Sequence, residues 1–199
     1  MHRIQPAEKV FALVDAARKL GFESVNVDLI YGLPRQTPES FDRTLEQVAE
    51  LRPDRIALYA YAHLPERFKS QRRIITAELP MASAKVSMLA RSLDVFQEAG
   101  YVYVGMDHFA LPDDALAVAK RQGRLHRNFQ GYSTQPDCDL IGLGVSAIGR
   151  VGATYSQNVK TLDEYYDCIN QGHLPVVRGL ALTKDDLVRR AVIMALMCQ

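Results

Sequence analysis

The chain has 199 residues, 48% of them hydrophobic, enough for one ordinary core or for one core with a small appendage. Its 24 Lys and Arg nearly balance 23 Asp and Glu for a formal charge of +1, which offers neither a basic excess for nucleic acid nor an acidic tract for disorder. No apolar run approaches the ~18 residues of a membrane span, and MHRIQPAEKV lacks the apolar stretch of a signal peptide, so a soluble, cytoplasmic protein with no membrane or nucleic-acid partner is expected.

Val10, Leu13, Val14, Ala17 and Leu20 repeat at helical spacing, with Gly21 as the stop. The run 24-SVNVDLIY-31 reads as a buried strand and ends at Gly32-Leu33-Pro34. Thr37 is a helix cap, with Pro38 in the first helical position and Glu39 in the first turn. The apolar stripe of that helix is Phe41, Leu45, Val48 and Leu51. A second strand, 55-RIALYAYA-62, follows. Strand, helix and strand within ~40 residues predict a βαβ unit in a parallel sheet. A third helix carries Val86, Leu89, Leu93 and Phe96 and feeds a third strand, 101-YVYVG-105. The alternation defines an α/β class.

Beyond residue 105 the texture changes. Pro112-Asp113-Asp114 opens a short helix closing at Lys120, Arg121 and Gly123, and the polar stretch 125–139 follows. Residues 140-LIGLGVSAIG-149 are strand-like and rich in glycine. Thr161 to Glu164 forms a capping box before a Tyr-rich helix, and Thr183 caps a last helix with Leu187, Val188, Ala191 and Leu196. That helix runs to the last residue with no stop signal, the first element is a helix, and three strands cannot close a barrel. The chain is therefore expected to be part of a larger protein, with residues 1–108 as one domain and 109–199 as a second.

Several residues stand out chemically. Asp28 lies in the middle of an apolar strand, where an unpartnered carboxylate is costly. Ligands gather at the carboxyl ends of parallel strands, so Asp28 either accepts hydrogen bonds from a polar ligand such as a ribose or is bonded to backbone amides. Ala60 and Ala62 are small residues near a strand end that let a ligand approach the backbone, and His63 comes next. The dipeptide Asp107-His108 suits proton transfer by type, but strand neighbours point to opposite faces. Gly142, Gly144 and Gly149 do not fit a phosphate-loop pattern; a bulge or a close backbone contact is the better reading. In 126-HRNFQGY-132, Arg127 can clamp a carboxylate in bidentate fashion; a polar surface loop is the alternative. Cys138, Cys168 and Cys198 are too widely spaced for a disulfide framework or a metal motif.

The motifs VDLIYGLPRQTPESF, YAHLPERF, GMDHFALPDDALA, LHRNFQGYSTQ and GVSAIG, in this order, closely resemble the oxygen-independent coproporphyrinogen III oxidases, over essentially the whole chain. These are radical S-adenosylmethionine (SAM) enzymes of haem biosynthesis, also called coproporphyrinogen dehydrogenases. The resemblance implies the later strands and helices of a partial (β/α) radical SAM barrel, plus the start of an α-rich C-terminal domain. It implies SAM and a [4Fe–4S] cluster as cofactors. Two propionates of coproporphyrinogen III then become vinyl groups, giving protoporphyrinogen IX, with an electron donor and an acceptor as further partners and a monomer as the full-length state. Position by position, Asp28, Ala62 and Ile148 match residues at the SAM site. His126, Arg127 and Gln130 are expected to meet the substrate's propionates. The family's C-x-x-x-C-x-x-C cluster motif is absent from these 199 residues, and so are the glycine-rich and acidic SAM motifs of the early strands. The chain alone is expected neither to bind the cluster nor to turn over. A related haem chaperone is the nearest alternative, but its H-N-x-x-Y-W pattern is not found and tryptophan is absent. A non-enzymatic tetrapyrrole-binding remnant is the second alternative. A hydrolase is third, and it lacks a G-x-S-x-G elbow.

Overall fold

The structure, a computed structural model, describes residues 4–129, 131–135 and 137–198. The chain divides into two compact units, residues 1–118 and 119–199.

The first unit opens with helix α1 (Ala7–Lys19), which Gly21 terminates at φ 85°. Strand β1 (Asn26–Tyr31) pairs in parallel with β2 (Arg55–Ala60), and helix α2 (Pro38–Leu51) makes the crossover. The start of α2 is fixed by a reciprocal cap. Ser40 N–H donates to Thr37 Oγ1 at 3.2 Å, and Thr37 N–H donates to Ser40 Oγ at 2.9 Å. Helix α3 (Ala82–Glu98) leads to β3 (Val102–Gly105). Here the structure departs from a simple parallel array. A three-residue strand, β4 (His108–Ala110), lies between β2 and β3 and is antiparallel to both, so the sheet order is β1-β2-β4-β3. The turn between β3 and β4 holds Met106 at φ 48°. A strand this short carries too little alternation to be read from sequence.

One face of this sheet is packed. Leu29, Tyr31, Ile56, Leu58 and Phe109 meet Phe41, Leu45 and Val48 of α2 and Met88 and Phe96 of α3. Each fully buried large side chain contributes about 1.5–3 kcal/mol. The expected stripe of α3 holds except at its start: Phe96 is buried and Leu89 and Leu93 pack against the core, whereas Val86 is exposed and Met88 and Ser92 are buried as well. Ser92 is tolerated in the core because its hydroxyl donates to the Met88 carbonyl at 2.6 Å. Tyr101 sits at the core's edge and donates to the Pro53 carbonyl at 2.6 Å; burial pushes its hydroxyl up to about 12. Asp114 is buried between Arg55 Nε (2.8 Å), Ser24 Oγ (3.0 Å) and the Leu116 N–H (2.8 Å), which fixes helix α4 (Ala115–Arg121).

The second unit holds a hairpin, β5 (His126–Asn128) with β6 (Gly131–Ser133), and an antiparallel sheet of β7 (Ile148–Val151), β8 (Thr154–Asn158) and β9 (Val176–Ala181). Helix α5 (Leu162–Asn170) connects β8 to β9, and α6 (Lys184–Cys198) follows. The Thr183 cap of α6 is formed, with Asp186 N–H donating to Thr183 Oγ1 at 3.2 Å. Residues 140–149 do not form one strand. Leu140 makes a single bridge to Arg150, and the loop between them is held by Asn158, whose amide donates to the Gly142 and Gly144 carbonyls at 3.0 and 2.9 Å. The glycines serve close approach: a Cβ on Gly149 would lie 2.9 Å from the Leu140 carbonyl oxygen, and one on Gly142 would lie 3.0 Å from the Ile148 backbone. Among the described residues, no helix is long and apolar enough to cross a membrane.

Candidate functional site

In the first unit the sheet's second face carries Asn26, Asp28 and Ile30, all exposed. In register beside Asp28 lies Ala57 of β2, and beside Ala57 lies His108 of β4. Asp28 is not bonded to backbone amides in the way a turn carboxylate is. Its Oδ1 accepts the Asn26 side-chain amide at 2.7 Å. The carboxylate is left with lone pairs open to solvent and a small neighbour at its side. Ala62, just past β2, is exposed, and its carbonyl accepts the Gln71 amide at 3.0 Å. His63 Nδ1 lies 3.3 Å from the Tyr61 hydroxyl. Asp107 lies in the turn before β4 and His108 opens that strand. The His108 ring stands edge-on to Tyr59 at 6.2 Å, while Tyr31 and Tyr103 are pushed up first by burial and then by the Asp107 charge.

The second unit contains a cavity of about 1030 Å³. His126, Arg127 and Ile148 line it; Gln130 lies outside the described residues. Arg127 stacks on Tyr132, 4.8 Å from the ring centre, and its buried Nη1 has no hydrogen-bond partner among the described residues. Four more arginines reach the cavity, Arg150, Arg178, Arg189 and Arg190, against Asp137, Asp139 and Asp186. Asp137 is shared: Arg150 Nη2 donates to it at 2.5 Å and Arg190 Nη2 at 2.8 Å. Burial pushes the Asp137 carboxyl up, but the two guanidiniums outweigh it and hold it below the usual carboxylate range. The sequence reading missed Arg150, Asp137 and Arg190, which come together from positions 13 and 53 residues from the aspartate. The inward face of α6 is likewise Asp186, Arg190, Met194 and Met197, not the expected Leu187, Val188, Ala191 and Leu196, of which Val188 and Leu196 are among the most exposed. The inward side carries the bonds from Tyr132 to the Met197 carbonyl and from Arg190 to Asp137.

The residues fit SAM in part and a cluster not at all. An open carboxylate beside an alanine suits a nucleoside's hydroxyls. No group of three or more His, Cys, Asp or Glu among the described residues could hold a metal.

A parallel βαβ pair with helices on one face of the sheet and an open carboxylate on the other has the build of a (β/α) barrel segment. The structure superposes on a solved coproporphyrinogen III oxidase from Escherichia coli, described as a radical SAM enzyme, with a TM-score of 0.94 and 54% identity over 98% of this chain and 45% of that one. The fold is therefore that of part of a radical SAM protein. Among curated proteins, the oxygen-independent coproporphyrinogen III oxidases of Escherichia coli (strain K12) and Synechocystis are 53% and 46% identical to the chain, each matched over all of it and over 43% of their own length. The chain is thus similar along its whole length to oxygen-independent coproporphyrinogen III oxidases and spans less than half the length of these relatives. No model of a protein family matches it.

Proposed function

We propose that the chain is the later barrel and C-terminal part of an enzyme that oxidatively decarboxylates two propionates of coproporphyrinogen III to vinyl groups, giving protoporphyrinogen IX. The observation that carries this is the identity of about half of all residues, along the entire chain, to enzymes of that name. Each propionate loses one hydrogen atom, carbon dioxide and one electron, which passes to an acceptor. When bound, SAM with a reduced [4Fe–4S] cluster supplies the chemistry that removes the hydrogen. The chain's own residues bind and orient. The Asp28 carboxylate accepts the nucleoside hydroxyls of SAM and the backbone at Ala62 lies against it. Arg127, stacked on Tyr132, receives a propionate together with His126. The cluster is held outside these 199 residues, and the chain by itself does not turn over. A cytoplasmic location and a monomeric full-length protein belong to the same reading.

The test is a chimera in which this chain replaces the matching 198 residues of the E. coli relative. Conversion of coproporphyrinogen III to protoporphyrinogen IX, dependent on SAM, is expected from the chimera and not from the chain alone. A chimera that folds and carries its cluster but makes no vinyl product overturns the reading.

A further inference from the structure

The second unit's cavity holds more positive charge than its known carboxylates neutralise. Arg150 and Arg190 converge on Asp137 alone, and their side chains are only 14% and 24% exposed. Arg150 also donates to the Cys138 carbonyl at 3.1 Å, and Arg190 is hydrogen-bonded to Tyr155. Both of those partners are neutral. Asp139 and Asp186 are turned to other donors, the Gly152 N–H at 2.8 Å and Thr183. Two guanidiniums on one carboxylate leave a cation largely removed from water, and such a charge calls for an anion. The second cationic point is Arg127, with its unpartnered Nη1. It lies at the far end of α6, where burial pushes the Cys198 thiol up and the Arg127 charge offsets part of that, and its stacking partner Tyr132 bonds the Met197 carbonyl. Seven residues of helix separate Arg190 from Met197, which is about 10 Å of rise. Between these points the wall includes Ile193, Met194 and Met197.

We propose that this cavity is a polycarboxylate site with two cationic positions, Arg127 over Tyr132, which is bonded to Met197, and Arg150 with Arg190 around Asp137, about two turns earlier along α6. Its ligand is a rigid apolar body bearing carboxylates on at least two sides. The planar forks of Arg150 and Arg190 are held in place by Asp137, so a ligand carboxylate meets donors already oriented. That the ligand is a tetrapyrrole rests on the function proposed above; that Arg150 and Arg190 form its second anchor is additional to it.

The experiment is fluorescence-detected binding of two probes to the 199-residue chain: coproporphyrin III, with four carboxylates, and mesoporphyrin IX, with two on one side of the ring. The wild-type chain is expected to prefer coproporphyrin III. Arg190→Gln and Arg150→Gln should each cut that preference about tenfold, by weakening the tetracarboxylate alone. Asp137→Asn guards against a folding effect. Its amide oxygen can still accept from the two guanidiniums and keep them oriented, while the competing negative charge is gone, so coproporphyrin III binding should hold or tighten. If Asp137→Asn weakens both probes as Arg190→Gln does, the three residues are a structural tether and the inference fails. If the wild-type chain binds both porphyrins and the arginine variants change neither, the second anchor falls while the tetrapyrrole reading stands. If it binds neither at micromolar concentration, both fall together.

Discussion

The Asn26 amide donates to the Asp28 carboxylate at 2.7 Å from two residues away on the same strand, so the two side chains share the face that the helices α2 and α3 leave open. The bond orients the carboxylate and uses one of its acceptor positions. A nucleoside hydroxyl on the remaining oxygen is a charge-assisted bond, worth about 1.5–3 kcal/mol. Asp28→Asn in the chimera should therefore lower SAM affinity about tenfold or more by calorimetry. Asn26→Ala should do so by less, since it removes only the orientation. Both sites are exposed, so the unfolding midpoint should stay within about 0.5 kcal/mol of wild type. Unchanged SAM affinity in Asp28→Asn would remove this residue from the site.

Local signals in the sequence were strong where a short segment fixed its own structure. The Thr37-Pro38 cap, the βαβ unit of β1, α2 and β2, and the Thr183 cap all formed as their residues dictate. One local signal failed: at α5 the Thr161 hydroxyl donates to the Glu164 carboxylate at 2.6 Å and caps no backbone N–H. The other failures depend on contacts distant along the chain. β4 is three residues long and exists because it fits between β2 and β3. The polar stretch around His126 forms a hairpin although it lacks apolar alternation. The outward side of α6 is the more apolar one, contrary to amphipathic logic, and its other side carries the bonds to Asp137 and Tyr132. The site divided in the same way. Asp28 stood out as a charge in an apolar strand, whereas Arg150 and Arg190 are ordinary arginines until folding brings Asp137 between them.

The glycine-rich loop gives a test of close packing. A Cβ on Gly149 would meet the Leu140 carbonyl oxygen at 2.9 Å and Ser156 Oγ at 3.2 Å, and the backbone oxygen cannot swing away without breaking its bond from Arg150 N–H, at 2.7 Å. Gly149→Ala should cost about 1–3 kcal/mol in urea denaturation, the range for overpacking. Gly179→Ala meets only the Tyr155 carbonyl, at 3.3 Å, and should cost less. Equal losses at the two positions would show that the close approach at Gly149 is not the constraint.

Tyr101 couples the first unit to alkaline pH. Its hydroxyl, buried and donating to Pro53, ionises at about 12, against about 10 when the chain is unfolded. A raised folded value means that the stabilisation is complete below about pH 10 and disappears as pH rises toward 12. Tyr101→Phe should leave the Pro53 carbonyl without its donor and lose about 1–3 kcal/mol at pH 7. The variant should also show a shallower fall in stability between about pH 10 and 12. Parallel curves for the two proteins in that range would mean that another tyrosine sets the alkaline limit.

Acid acts on the second unit through Asp137. Its folded carboxyl titrates below the ordinary range because Arg190 and Arg150 outweigh the effect of burial. The sign is opposite to that of Tyr101. The contribution is present above the unfolded value, about 3.9 for an aspartate, and is lost as pH falls from there through the lower folded value. The carboxylate is half exposed, so water and salt screen the interaction. Urea midpoints measured from about pH 6 down to about pH 3 should fall less steeply for Asp137→Asn than for wild type. The gap should narrow in about 0.5 M salt, where the screening length is a few ångströms. Arg190→Gln should flatten the profile in part, because Arg150 still holds the carboxylate at 2.5 Å. If Asp137→Asn and wild type fall together, the two guanidiniums do not stabilise the ionised carboxylate in the folded chain, and the oriented pair on which the second anchor depends is not formed.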